Sequence, residues 1–390
     1  PLADGTRTSQ ADRKNVTATT EEAEISNGTI YLYDGAKLVY SKAITASDWL
    51  HLPNQANNGR GTTNPVKIAV NGIEKGKTYK VYFLAGDKTS NTPTTDELTG
   101  AYTIGTEDPT SISLDLAKAN SFVMFNQNDA QVNGKGYSVN FIKANNNSKN
   151  PAKVTYTSAD GNTTQKDAAI KVERVVARID APNPGTSTVL ADAPASASEA
   201  LKVAMKDAKE KVRKIELTNY AISNLANKSY VMQTWNSSAL SIPNGINYIQ
   251  PTASFGGVYD YQDGGFTTTE ATKVNYVFEN NSTTAPTTMY FEYQITLDDS
   301  KFTGPADFTD GTFYRFNNVI YTSFDQIFKD YNDVADLFGE GKTAATMKSD
   351  LTNAINNETE LAKFREDNKI EVFKGGKTYY KHVIKDNDIN

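Results

Sequence analysis

Residues 29–41, Thr29-Ile30-Tyr31-Leu32-Tyr33-Asp34-Gly35-Ala36-Lys37-Leu38-Val39-Tyr40-Ser41, decide the fold class. Two runs of β-branched and aromatic residues flank Asp34-Gly35, and glycine accepts the positive φ that a tight hairpin turn demands. The stretch predicts two antiparallel strands. Similar runs follow at residues 66–71, 78–84, 111–116, 122–125, 137–142, 154–157 and 170–179. Their connections are rich in Gly, Asn and Pro, and helical periodicity is weak before residue 195. Regularly spaced short strands with turn-forming links favour a sandwich over a parallel sheet.

A chain of 390 residues exceeds the usual size of one hydrophobic core, so two domains are expected. Residues 181–195, rich in Pro, Ala and small polar side chains, read as the boundary. The division places an N-terminal β-sandwich domain at 1–182 and a C-terminal one at 183–390. Residues 196–214 predict a helix: Ser196 and Glu199 have capping-box spacing, and Leu201, Met205, Ala208 and Val212 share a face. Strands are expected again at 214–220, 230–233, 274–279, 288–297 and 312–321. Two further helices carry apolar faces, one on Phe324, Ile327, Phe328, Tyr331, Val334, Ala335 and Phe338, opened by Ser323 and Gln326. The other lies on Met347, Leu351, Ala354, Ile355, Leu361 and Phe364. A strand at 370–373, a Gly375-Gly376 turn and a strand at 379–384 close the chain. Gly76-Lys77-Thr78-Tyr79-Lys80 is echoed by Gly376-Lys377-Thr378-Tyr379-Tyr380-Lys381, as two β domains of related design would produce. The expected fold is mostly β, two sandwich domains with a few helices added to the second.

The chemical inventory is sparse. There is no cysteine, and the two histidines, His51 and His382, are far apart. Cys and His supply most nucleophile–base pairs and transition-metal ligands. A structural or adhesive role is therefore expected in preference to catalysis, with no catalytic residue, metal or cofactor. A formal charge of −6 without a Lys/Arg stripe argues against nucleic acid and anionic membranes as partners. No apolar run is long enough to span a bilayer. The polar first fifteen residues lack a signal core, which fits a cytoplasmic protein or one whose export segment has gone.

Gly-Lys-Thr occurs three times, ending at Thr78, Thr343 and Thr378. The glycine that a phosphate loop needs five positions earlier is replaced by Asn71, Asp336 and Glu371, so these read as turns. Asp260, Asp263 and Gly264 lack the remaining ligands of a calcium loop and read as a turn. Trp49 and Trp235 suit a sugar platform or, more simply, the faces of half-buried strands. The plentiful carboxylates single out no glycosidase pair. Glu21, Glu22 and Glu24 read as a solvated lead-in. Arg7 and Arg13 sit in a polar segment without an apolar anchor, open to proteases.

Glu173-Arg174-Val175-Val176-Ala177-Arg178-Ile179 is the most recognisable stretch, and with other pieces in order it resembles the fimbrillins of Bacteroidales, the shaft subunits of Porphyromonas fimbriae and their relatives. Those pieces are Ile30-Tyr31-Leu32-Tyr33-Asp34 with Leu38-Val39, Gly76-Lys77-Thr78-Tyr79-Lys80-Val81-Tyr82, and Phe122-Val123-Met124. Further on come Tyr276-Val277-Phe278-Glu279-Asn280 with Pro286-Thr287-Thr288, then Tyr379-Tyr380-Lys381. The likeness covers residues 25–385, and no single piece is specific. It implies two transthyretin-like β-sandwich domains and export to the cell surface as a lipoprotein. It also implies cleavage after an arginine, for which Arg7 and Arg13 are candidates, although a mature start at Pro1 is equally allowed. Polymerisation by strand exchange would follow. The implied partners are other copies in a head-to-tail polymer, accessory fimbrial subunits, and host or bacterial surface proteins. The family's Arg-Asn-x-Tyr strand, expected after residue 390, is missing from the sequence. An accessory or tip adhesin is the alternative role, and a carbohydrate-active sandwich enzyme a third.

Overall fold

The computed structural model describes residues 19–44, 67–86, 101–103, 116–117, 119–126, 136–142, 147–158, 161–230, 234–236, 239–250, 267–268 and 274–384. It is mostly β and antiparallel, with the longer helices toward the C-terminus. A single turn of helix, α1 (Thr20–Ala23), leads into β1 (Gly28–Asp34). The chain turns at Gly35, φ +61°, into β2 (Lys37–Ile44), as the opening stretch predicts. On its other side β1 pairs with β3 (Thr78–Ala85). Alternation sends Tyr31 and Tyr33 into one core with Tyr82 and Phe125, and Leu32 into another with Tyr79, Val81 and Tyr137. Both faces of the β1–β3 pair are buried.

Beyond β3 the sheet forks. Its last residues, Leu84 and Ala85, pair with β4 (Met124–Asn126), and its first, Thr78, Tyr79 and Lys80, with β5 (Gly136–Asn140). The β5 branch continues through β6 (Val154–Thr157) and β7 (Thr164–Gln165), and the β4 branch ends on β8 (Val172–Arg174). At the fork the wholly buried Asn126 fills the missing neighbour's place. Its side-chain oxygen accepts from the Phe83 N–H at 2.8 Å and its amide nitrogen donates to the Val81 carbonyl at 2.9 Å.

The second half contains β9 (Ala177–Asp180), β10 (Gly185–Ser187), α2 (Glu199–Lys211), β11 (Val212–Ser223), β12 (Val274–Val277) and β13 (Thr288–Leu297). Residues 170–179, expected as one strand, form two. The buried Val175 and Val176 carry the chain from β8, paired to β4, into β9, paired to β12. The helix expected from residue 196 starts later, because Ser198, not Ser196, accepts the Leu201 N–H. β10 lies inside the stretch read as a linker and pairs with β11. The largest core takes residues from both halves of the chain, Val123 and Phe125 beside Tyr220, Ile222 and Met289.

After β13 the chain runs through β14 (Phe313–Phe316), β15 (Val319–Tyr321), α3 (Phe324–Asp330), α4 (Ala344–Ala354), α5 (Glu358–Asn368) and β16 (Glu371–Phe373). It returns as β17 (Lys377–Val383), which pairs directly with β13. Residues 298–376 are thus an insertion between two adjacent strands. The expected strand at 312–321 is a hairpin, because Asn317 and Asn318 both take positive φ between β14 and β15. The helix expected over Met347 to Phe364 is two, since Asn357 caps α5 by accepting the Glu360 N–H. Ser323 caps α3 as its spacing predicts. The three helices close over β14 and β16 around Tyr314, Phe324, Ile327, Met347, Leu351 and Leu361, a core separate from the other two.

Burial, reinforced by a carboxylate, raises the hydroxyl pKa of Tyr314 (bonded to Asp307 at 3.2 Å) and of Tyr321 (bonded to Asp330 at 3.1 Å). The folded pKa lies above the unfolded one. The contribution is therefore complete below the ordinary tyrosine pKa of about 10 and is lost as pH rises beyond it. Thermal melts followed by helical circular dichroism are expected to shift downward above that pH, and loss of the shift in a Tyr314→Phe, Tyr321→Phe double variant checks the cause.

Candidate functional site

Strand edges are the surfaces through which a β protein joins others, and this chain treats its edges unequally. β15 is an edge of the small sheet ordered β15, β14, β16. Its Ile320 N–H donates to the Asp207 carboxylate at 2.7 Å, and its carbonyl accepts from Lys211 Nζ at 2.8 Å. Asp207 and Lys211 are ion-paired one turn apart on α2, so a helix face closes that edge. At the opposite edge the Val372 carbonyl of β16 accepts from Arg365 at 2.8 Å. Asp207→Ala is expected to cost about 1–2 kcal/mol, since it strips the acceptor from a part-buried backbone N–H; urea denaturation measures it.

β17 is different. Among the described residues its one strand neighbour is β13. The Ile384 N–H donates to the Thr287 carbonyl, which fixes the phase of the ladder. By alternation Thr378, Tyr380 and His382 face β13 with their backbone, and Lys381 and Val383 turn their N–H and C=O groups outward, whereas the Lys377 N–H donates to the Lys374 carbonyl. Tyr380 is 44% exposed and stacks on Phe291 at 6.4 Å.

The register of β17 is held by a buried carboxylate. The Glu292 side chain, 4% exposed, projects from β13 and receives hydrogen bonds from both neighbouring strands. Lys377 Nζ and the Tyr379 hydroxyl, from β17, each donate to Oε2 at 3.1 Å. From β11, Asn219 Nδ2 donates to Oε1 at 2.6 Å and Thr218 Oγ1 at 3.2 Å. A bulge between Leu217 and Asn219 brings two consecutive β11 side chains to one carboxylate.

A second buried carboxylate corrects the reading of residues 21, 22 and 24 as a solvated lead-in. Glu22 is 3% exposed. It closes a reciprocal box with Thr19: the Thr19 N–H donates to Oε2 at 2.9 Å and the Glu22 N–H to Thr19 Oγ1 at 3.3 Å. Oε1 accepts from Arg178 at 2.9 Å and from the Tyr276 hydroxyl at 2.7 Å. Burial first, then this carboxylate, raises the Tyr276 pKa. Arg178 also pairs with Asp180. One side chain thus fastens the segment before β1 to the place where β9 meets β12. The Thr19-x-x-Glu22 spacing was the available signal.

Several residues singled out in the sequence lie outside the described residues: Arg7, Arg13, Trp49, His51, Asp260, Asp263 and Gly264. Trp235 falls in a short strand, Thr234–Asn236, paired with Ala239–Ser241, and His382 lies on β17. The three Gly-Lys-Thr copies behave as turns and a cap. Gly76 and Gly376, both at positive φ, precede β3 and β17, and Thr343 caps α4 in a reciprocal box with Thr346. Among the described residues no cluster of His, Cys, Asp and Glu has the makings of a metal site, and no helix is long and apolar enough to cross a membrane.

Solved structures similar to this chain are fimbrial and cell adhesion proteins. One is a candidate cell adhesion protein from Parabacteroides distasonis, at 16% identity and a TM-score of 0.38, over 76% of this chain and 73% of the other. A fimbrilin from Porphyromonas gingivalis matches at 12% identity and a TM-score of 0.38, over 95% of this chain and 78% of its own. A fimbrial assembly protein from Parabacteroides distasonis matches at 15% identity and a TM-score of 0.25, over 72% and 94%. No family model and no curated protein matches the sequence.

Proposed function

We propose that this chain is a structural subunit of a bacterial surface fimbrium, exported as a lipoprotein precursor and polymerised by donor-strand exchange after proteolysis at an arginine, with Arg7 and Arg13 the candidates. Its partners are further copies, joined head to tail, and accessory fimbrial subunits. The chain divides at 182/183 into two β-sandwich domains. The observation that carries this reading is the contrast between edges. α2 seals β15 with a charged pair, whereas the later part of β17 presents the outward-facing backbone groups of Lys381 and Val383 beside the exposed Tyr380. Backbone groups on an open edge pair with an extended segment of another molecule, and a contact between unlike surfaces that does not close grows into a fibre. The ordered motifs from residues 25 to 385 that resemble fimbrillins support the same role, as does the sparse catalytic inventory.

The test is to treat the purified full-length gene product with an arginine-specific protease and image it by negative-stain electron microscopy. Filaments are expected, and replacing Arg7 and Arg13 by lysine should abolish them if cleavage occurs there. A protein that is cut and stays monomeric would overturn the reading.

A further inference from the structure

Glu292 is bonded to an amine on one side and a carboxamide on the other, and those two groups are able to react with each other. From the contacts of Lys377 Nζ, Glu292 and Asn219 Nδ2 we infer that Lys377 and Asn219 form an intramolecular isopeptide bond, with Glu292 as the catalytic acid and base. The three residues lie on three adjacent strands, β17, β13 and β11, in the order amine, carboxylate, amide. Lys377 Nζ is 3.1 Å from Oε2 and Asn219 Nδ2 is 2.6 Å from Oε1. Tyr379 and Thr218 hydrogen-bond to the same carboxylate and hold it between the reactants, as a base is oriented by further donors in other covalent sites. Gly376, at φ +73°, fixes the approach of the lysine. A Cβ there would lie 2.6 Å from the Ile295 carbonyl oxygen, so glycine is required for the backbone to pass and deliver Lys377 to Glu292.

The step balances without a co-reactant. Nζ gives one proton to Oε2 and becomes a free amine, and its flexible stem swings across the carboxylate to attack Cγ of Asn219. A C–N bond forms between Nζ and Cγ, and the bond between Cγ and Nδ2 breaks. Nζ loses a second proton after the attack. Glu292 relays both protons to Nδ2, which departs as ammonium, and Glu292 ends as the carboxylate it began as. Glu292 supplies the proton relay of general acid–base catalysis, and binding both reactants on its two oxygens leaves only the lysine stem to move. The product ties β17 to β11 over β13, a covalent brace in a chain with no cysteine to make a disulfide.

This inference is independent of the proposed fimbrial role. The measurement is the intact mass of the purified chain, followed by tryptic digestion and tandem mass spectrometry. The expected mass is one ammonia below that of the sequence. Cleavage after Lys377 should be lost, leaving a branched species that joins residues 215–228 to residues 375–381. Lys377→Arg keeps the charge without the nucleophile and should restore the full mass. Glu292→Gln, checked for folding by circular dichroism, should do the same. A wild-type chain at full sequence mass, cut after Lys377 with the two peptides separate, would mean that Glu292 serves only to pin the strand, and would overturn the proposal. Cross-linking of Glu292→Gln to the wild-type extent would overturn the role given to Glu292.

Discussion

Asn126→Leu is expected to destabilise the protein by about 2–6 kcal/mol, because it leaves two buried backbone groups unsatisfied at about 1–3 kcal/mol each. The Phe83 N–H and the Val81 carbonyl face the gap where β4 and β5 diverge, and the Asn126 amide bonds to both. Leucine has the same number and branching of side-chain heavy atoms, so no cavity opens, but its bulkier methyl groups add overpacking to the lost hydrogen bonds. Asn126→Asp retains an acceptor for Phe83, removes the donor to Val81 and buries a charge; it should do no better than leucine. Chemical denaturation of the three proteins measures the series. Equal stability of Asn126→Leu and wild type would mean that the fork is held by its apolar packing alone.

Glu22→Ala is expected to cost about 3–5 kcal/mol, the range for breaking a buried ion pair and leaving its partner behind. Arg178 keeps Asp180, which moderates the loss, while the Tyr276 hydroxyl loses its acceptor. The discriminating measurement is a double-mutant cycle with Arg178→Met. If the pair acts as a unit, the double variant should be more stable than the sum of the single losses predicts. Limited proteolysis reads the local effect, since freeing Glu22 should expose the segment before β1 ahead of global unfolding. A segment that stays protected in Glu22→Ala would place its anchor elsewhere, for instance in the bond from the Asn120 N–H to the Glu21 carbonyl.

What the sequence disclosed depends on the range of the interaction. The hairpin of β1 and β2, the Ser323 cap and the strand at 288–297 rest on neighbours within a few residues, and each was legible. The errors came where a remote partner decides. Val175 and Val176 continue a run of strand-forming residues with no turn signal in it, and only the separate partners β4 and β12 divide it into two strands. Asn317-Asn318 carried a turn signal that the surrounding aromatic residues obscured. Glu22 looked solvated because the partners that bury it, Arg178 and Tyr276, lie more than 150 residues away, and only the local Thr19 spacing hinted otherwise. The carboxylate at Glu292 was one of many until three strands brought an amine and an amide to it. The motifs resembling fimbrillins pointed to the strand-rich fold, yet gave no hint of these side-chain contacts.

Because β13 and β17 are direct neighbours, residues 298–376 form a cassette whose two ends leave from adjacent points of one sheet. The ladder between residues 288–294 and Lys377–Val383 is complete without any strand of the cassette. The cassette's attachment is nonetheless lateral, through Asp207 and Lys211 clasping Ile320. Evolution of this region is therefore bound to the last turns of a helix that precedes it by some hundred residues. A variant that dropped the cassette would lose the reason for that charged pair and would have to cover what it now hides.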